Sequence, residues 1–364
     1  MNVLYIVGNR PQFVKLAVLH KEMAKHSFIK EAIIHTGQHF TEDMSDIFFK
    51  ELGIDIPTVN LNIHSLSHVT LIGRTMEALE SEIPKMAPDV ILVFGDTNAT
   101  LAGALTGIKL GIPVVHIEAG IRTFDEEMPE ESNRYITDRI AAINFCCTKL
   151  NERQMKKEGY MKEIHSKVIF SGDLMLDAYL HYKDQFSRST KLLEELGLTK
   201  NQYLVTTIHR RQNIDHPEVL RNIIHSLNSI HQEMPVVCPM HPNTRQIVEK
   251  NNLICEFKII PPQSYFNMQN LLHHCAFVIT DSGGVQREAF FAKKPLAIVM
   301  EHPFWPEVTN YGGAVYCSGD GDQIMNAFEK IKTLTIKNRT TVFGKGNAAE
   351  IITQGIITAF QTNN

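Results

Sequence analysis

The sequence predicts an α/β protein made of two doubly wound, Rossmann-like domains. Three observations carry that expectation. Short apolar runs rich in β-branched residues, such as Val90 to Phe94 and Val114 to Ile117, recur along the chain, as expected of parallel strands buried on both faces. Helical stretches alternate with them. The alternation occurs twice, and the 364 residues are enough for two such units with a large core. The expected domains are 1–171 and 172–347, with a tail helix at about 348–364 able to pack back on the first. Ligands of open parallel sheets bind beyond the carboxyl ends of the strands, so the substrate is expected in the cleft between the two domains.

The first apolar run lacks the basic flank of a signal peptide and reads as strand one, ending at Gly8-Asn9-Arg10-Pro11. A helix over 12–25 follows, with Phe13, Leu16, Ala17 and Leu19 on its apolar face. Arg10 then lies at the strand–helix turn and Lys15 one turn inside. A helix N-terminus flanked by two cations suits a diphosphate, although Lys15 also fits an ordinary surface position. Strand two, over 32–35, leads to Gln38 and His39. A helix over 42–52, a loop over 59–68 and a helix over 70–86 come next. Strand 90–94 delivers Asp96, and Thr97 and Thr100 can cap a helix over 101–109. Strand 113–118 ends at Glu118. A helix through Ile136 and Ile140 and strands at 144–148 and 168–173 complete the unit.

The second unit repeats the scheme. Strand 203–208 ends in His209-Arg210-Arg211-Gln212-Asn213, and strand 235–240 ends in His241. Strand 257–260 and a helix over 266–275 follow. Strand 277–280 runs into Asp281-Ser282-Gly283-Gly284, and strand 296–300 comes after it.

Bulk properties exclude several functions. The chain has 36 basic and 40 acidic residues and net charge −4, with no basic patch for nucleic acid. No apolar run reaches the roughly 18 residues of a membrane span. The six cysteines form no C-x-x-C pair and sit mostly among apolar neighbours, which points to buried thiols and a cytoplasmic location. No metal site is expected.

The residues with chemistry fall at strand ends. Asp96, Glu118 and Glu130 (with Glu131 beside it) place three acids on successive segments. Each alone fits a helix cap or a solvated loop residue; together they point to one site. Ser282, Gly283 and Gly284 open a helix after a buried strand, where bare backbone N–H groups approach phosphate closely. Glu288, a turn and a half further on, could accept from a ribose diol. His209 and His241 end strands of the same unit, a position equally suited to a packed, hydrogen-bonded histidine.

Seven motifs in order then match a known pattern. They are G-N-R-P-Q-F-V-K at Gly8 to Lys15, T-G-Q-H at Thr36 to His39, G-D-T at Gly95 to Thr97 and H-I-E-A-G-I-R-T at His116 to Thr123. P-E-E-S-N-R at Pro129 to Arg134, H-R-R-Q-N at His209 to Asn213 and T-D-S-G-G-V-Q-R-E at Thr280 to Glu288 complete the set. Over essentially its whole length the chain resembles the non-hydrolysing UDP-N-acetylglucosamine 2-epimerases, two-domain enzymes of glycosyltransferase-B shape. The resemblance implies inversion at C2 of UDP-GlcNAc by anti-elimination of UDP, through 2-acetamidoglucal, to UDP-ManNAc for cell-surface polysaccharide synthesis. It implies Asp96, Glu118 and Glu130 as acid–base groups, with Glu131 supporting, and His209 as a further catalytic group near the leaving diphosphate. Arg10, Lys15 and Arg134 would neutralise charge, Ser282 and Gly283 hold phosphate, and Glu288 the ribose; Gln38, His39, His241 and Gly284 complete the substrate-binding set. It implies a homodimer, a UDP-sugar as the ligand, and neither metal nor other cofactor.

The chain departs from that pattern in places. Phe40-Thr41-Glu42-Asp43-Met44 replaces a shorter segment that in some members binds a second, activating UDP-sugar. Glu301 to Glu307 replaces T-E-R-P-E, and Arg287 replaces an acid. The P-Q-F and G-D-T-N forms are similar to the subgroup acting on modified sugars, such as UDP-2,3-diacetamido-glucuronate or 6-deoxy-HexNAc. The parent substrate leads; that subgroup and a retaining glycosyltransferase of the same shape are the alternatives.

Overall fold

Each half of the chain winds outward from a central strand and then back past it. The computed structural model describes residues 1–37, 51–54, 57–125, 127–164, 166–301, 304–334, 336 and 340–361. Gln38, His39 and nearly all of the helix expected over 42–52 lie outside these. Two units are distinct: Met1–His181 with Thr341–Asn364, and Tyr182–Thr340.

The first unit holds strands β1 (Asn2–Val7), β2 (Lys30–His35), β3 (Val59–Asn60), β4 (Val90–Phe94), β5 (Val114–Ala119), β6 (Ile143–Cys146) and β7 (Lys167–Phe170), in the order β3-β2-β1-β4-β5-β6-β7. The second holds β8 (Leu204–Thr207), β9 (Val236–Pro239), β10 (Lys258–Ile260), β11 (Phe277–Thr280), β12 (Leu296–Val299) and β13 (Ala314–Cys317), in the order β10-β9-β8-β11-β12-β13. Every pairing is parallel. Both are Rossmann-like sheets, as the alternation predicted. β4 and β5 are buried throughout, which is why they read as unbroken apolar runs. The strand order reverses between β1 and β4 in one sheet and between β8 and β11 in the other. These reversals are the topological switch points, where such sheets open a crevice for ligand.

Some boundaries differ from expectation for local reasons. The helix after β4 begins at Asn98, because Thr97 caps it by accepting from the Thr100 amide at 3.2 Å. Val59–Asn60 forms an edge strand on β2 where a loop was expected; two residues carry no periodicity to read. The helices Lys149–Lys157 and Pro242–Lys250 were not foreseen. Each buries only two side chains, Asn151 with Met155 and Thr244 with Val248, too thin an apolar stripe to recognise.

The unit boundary falls inside the helix Leu174–Ser187, ten residues beyond the position read from sequence. The tail helix Ala348–Phe360 belongs to the first unit. Its approach depends on Gly172, at φ +85°, where a Cβ would lie 2.9 Å from the Phe343 carbonyl oxygen; only glycine fits. The Asp173 amide donates to that carbonyl at 2.8 Å. Asp177 Oδ2 accepts from the Ala349 amide at 2.8 Å, at the start of the tail helix, while its Oδ1 is buried without a hydrogen bond.

Burial pushes the Asp177 carboxyl up to about 6, against an ordinary 3.8, despite the opposing amides of Ala349 and Ala348. The folded protein therefore keeps a proton that the unfolded chain releases across that interval. Stability is expected to fall as pH rises from about 4 to about 6, by on the order of 3 kcal/mol from this group. Asp177→Asn should remove this contribution and raise Tm above pH 6 relative to wild type. Melting curves across the interval check both.

Candidate active site at the two switch points

In the first unit the switch point is spanned by Gln12, in the helix Arg10–Met23. Its Oε1 accepts from the Gly8 amide at 2.7 Å, and its Nε2 donates to the Phe94 carbonyl at 2.7 Å and to Thr97 and Thr100 Oγ1 at 3.1 Å each. One buried amide thus ties the end of β1 to the turn after β4 that carries Asp96. Arg10 is the first residue of the same helix. Burial draws its guanidinium down from the ordinary arginine value, with Glu51 opposing.

The helix Pro129–Ile140 holds both the Asp96 turn and the loop after β5. Arg134 is fully buried and forms an ion pair with Asp96. Asn133 Nδ2 donates to the Asp96 carbonyl at 2.9 Å and to Asn98 Oδ1 at 3.2 Å. Glu131 accepts from the amides of Thr123 and Phe124 and from Thr123 Oγ1, all within 3.1 Å. It braces the loop after β5. Glu130, half-buried in the first turn, makes no hydrogen bond or ion pair among the described residues. Its neighbour Glu131, by contrast, is committed to structure.

Glu118 is the penultimate residue of β5, as the strand read over 113–118 anticipated to within one residue. It takes φ +72°, and the pairing of β5 with β6 slips between Ile117 and Ala119. A bulge at a left-handed, non-glycine residue costs about 1–3 kcal/mol and persists where surrounding contacts impose it. Here the contact is Lys15, which is 3% exposed and places Nζ 2.5 Å from Glu118 Oε2. Lys15 is therefore no surface lysine but the buried partner of a strand-end acid. A Cβ on Gly95 would lie 3.7 Å from Glu118 Oε1 and 3.9 Å from Lys15 Nζ, so the Asp96 turn rests on this pair. Donor atoms of Glu118, Cys147 and Asp173 come within 4.8 Å of one another and could hold a metal ion. Glu118 is already neutralised by Lys15, and Asp173 Oδ1 accepts from the Met175 amide at 2.8 Å.

In the second unit Asp281, 1% exposed, spans the switch point. Its carboxylate accepts from the amides of His209 and Arg210 and from Asn213 Nδ2 at 2.9–3.1 Å, and it pairs with His209 Nδ1 at 2.9 Å. Desolvation pulls the His209 ring down, but the charge and hydrogen bond of Asp281 outweigh it and raise its pKa above the ordinary value. The side chain is half-exposed, just beyond the end of β8. Ser282 caps the helix Gly283–Phe291 by accepting from the Val285 amide at 3.4 Å. The Gly283 carbonyl accepts from Trp305 Nε1 at 3.1 Å, and Arg287 stacks on the same indole at 4.3 Å. Gly284 and Glu288 are half-buried on that helix. His241 caps the helix Pro242–Lys250, its Nδ1 accepting from the Asn243 amide at 3.2 Å.

The candidates thus stand at the ends of neighbouring strands: Arg10, Asp96 and Glu118 on β1, β4 and β5; His241, His209 and Ser282 on β9, β8 and β11. Sequence reasoning gave no role to Gln12, Asn133 or Asp281. The aspartate was visible as the residue before the glycine turn; its function as a hub was not, because four of its contacts come from a segment some 70 residues away.

A family model described as UDP-N-acetylglucosamine 2-epimerase matches residues 21–357. The chain belongs to the UDP-N-acetylglucosamine 2-epimerase family. Among its relatives, the UDP-2,3-diacetamido-2,3-dideoxy-D-glucuronate 2-epimerase of Pseudomonas aeruginosa is 39% identical over 97% of this chain and 99% of its own. The UDP-N-acetylglucosamine 2-epimerase of Methanococcus maripaludis is 36% identical over 95% of this chain and 96% of its own. The crystal structure of Methanocaldococcus jannaschii UDP-GlcNAc 2-epimerase in complex with UDP-GlcNAc and UDP matches with a TM-score of 0.92 at 32% identity, covering 99% of this chain and all of that one. The motifs at 8–15, 95–97, 116–123 and 129–134 lie around the first switch point and those at 209–213 and 280–288 around the second; of T-G-Q-H only Thr36 and Gly37 are among the described residues. No helix among the described residues is long and apolar enough to cross a membrane.

Proposed function

We propose that this protein interconverts UDP-GlcNAc and UDP-ManNAc as a non-hydrolysing 2-epimerase. The observation that carries the reading is the pair of strand-end carboxylates at one switch point, each held by a buried cation: Asp96 by Arg134 and Glu118 by Lys15. A carbon-bound proton at C2 is barely acidic, so its removal calls for a fixed base and a stabilised leaving group. A carboxylate takes the C2 proton, the C–H electrons form a C1–C2 double bond, and the C1–oxygen bond breaks to release UDP and 2-acetamidoglucal. Return of the UDP oxygen to C1, with a proton delivered to the opposite face of C2, gives the epimer. Asp96, Glu118 and Glu130 are the proton-transfer groups. His209, made more basic by Asp281, meets the leaving diphosphate as a cation. Arg10 offsets the charge of the substrate, the amides after Ser282 bind phosphate, and Glu288 takes the ribose. Gln38, His39 and His241 complete the binding set. Elimination and re-addition leave no net redox change and call for no cofactor. The enzyme acts as a cytoplasmic homodimer on this reading.

A second reading is favoured by the 39% identity to the diacetamido-glucuronate enzyme and by Gln12 in the P-Q-F form: the sugar carries a further substituent at C3 or C6. One experiment separates these. A panel of UDP-sugars differing at C3 and C6 is incubated in deuterated water and followed by NMR. Deuterium at C2 with formation of the epimer is expected for one member. Absence of exchange across the panel overturns the epimerase; exchange confined to a modified sugar replaces the parent substrate.

A further inference from the structure

His116 lies in the middle of β5, two residues before Glu118, and is completely buried. Its Nδ1 is 2.7 Å from Asp138 Oδ1 and its Nε2 is 2.6 Å from the carbonyl oxygen of Gly95. A carbonyl oxygen can only accept, so Nε2 carries a proton. The other oxygen of Asp138 accepts from Arg122 Nη1 at 2.7 Å and from the Gly120 amide at 3.2 Å. That buried ion pair with the Arg122 guanidinium makes Asp138 an ionised acceptor independently of His116, and Nδ1 must donate as well. A neutral imidazole has one N–H and one lone pair. At one of these two short contacts it would set a lone pair against an oxygen.

We infer that His116 is a buried imidazolium, charge-paired to Asp138, that positions the Gly95-Asp96 turn for catalysis. The inference deepens the epimerase reading and rests on it for its kinetic consequence. Three side chains of the helix Pro129–Ile140 converge on those two residues. Asp138 acts through His116 on the Gly95 carbonyl, Asn133 holds the Asp96 carbonyl, and Arg134 pairs with the Asp96 carboxylate. Both peptide carbonyls around Asp96 and its side chain are thereby held from one rigid element, the condition for a preorganised acid or base. A buried charge is tolerable because it is paired and fully hydrogen-bonded.

The first test reads the ring itself. In protein labelled with nitrogen-15 at histidine, the His116 ring of the folded enzyme should show protons on both nitrogens under the conditions of the kinetic assay, its signals identified by their loss in His116→Gln or displacement in Asp138→Asn. One bare ring nitrogen in the wild-type protein overturns the inference. The second test is kinetic. His116→Gln keeps a donor for Gly95 but removes the charge, and should lower kcat for C2 exchange by up to about 100-fold with KM little changed. Asp138→Asn should act in the same direction and serves if His116→Gln does not fold. A variant with wild-type kcat overturns the positioning role. Absence of C2 exchange in the wild type would instead overturn the epimerase reading, and the ring spectrum would still decide the charge on His116.

Discussion

Asp96→Asn is expected to lower kcat for C2 deuterium exchange by about 10²–10⁴-fold, the usual contribution of a positioned proton-transfer group. The substitution keeps the size of the side chain and an oxygen for Arg134. It removes the negative charge and the ability to hold a proton in the reaction. KM should change little, because the loss falls on the transition state and not on ground-state binding. Arg134 is left buried beside a neutral amide, so Tm should fall as well, and the kinetics are measured well below it. A folded Asp96→Asn variant with near wild-type exchange would remove Asp96 from the mechanism and leave Glu118 and Glu130 as the acids.

Lys15→Met should destabilise the protein by about 3–5 kcal/mol, because it strips a buried carboxylate of its counter-charge. Lys15 and Glu118 side chains are 4% and 7% exposed, so water screens neither group. Glu118 is in addition held at positive φ in a bulge, and the ion pair is one of the contacts imposing that conformation. The double variant Lys15→Met with Glu118→Gln should recover much of the loss, since both charges then leave together. Chemical denaturation of the three variants checks this. A single variant within about 1 kcal/mol of wild type would place the pair among weak surface ion pairs and would contradict its burial.

How much of the site is legible in sequence depends on how local each signal is. Ser282-Gly283-Gly284 reads as a helix-opening turn from three adjacent residues, and the capping bond to Val285 comes from that spacing alone. Glu130 and Glu131 are alike in residue type and position, and in the sequence only the family resemblance sets Glu131 apart as supporting. The physical difference is spatial: Glu131 accepts from the amides of Thr123 and Phe124 and Glu130 does not. Lys15 misleads for a similar reason: a lysine on an amphipathic helix is ordinarily solvated, and its acid partner lies 103 positions further along the chain. Gln12 and Asp281 gain their roles as bridges only when strands distant in sequence become neighbours at a switch point.

By itself the sequence determined the α/β class, the twofold repetition of strand and helix, and the strand ends that carry the chemistry. These depend on apolar periodicity and turn chemistry, which act over a few residues. Tertiary structure alone decided the division of the chain inside the helix Leu174–Ser187, the bulge at Glu118 and the buried pairs Lys15–Glu118, Arg134–Asp96 and His116–Asp138. Each depends on desolvating a charge against a partner that the chain brings from far away. No local pattern reports that energy, because it exists only once the sheet order has placed the two groups side by side.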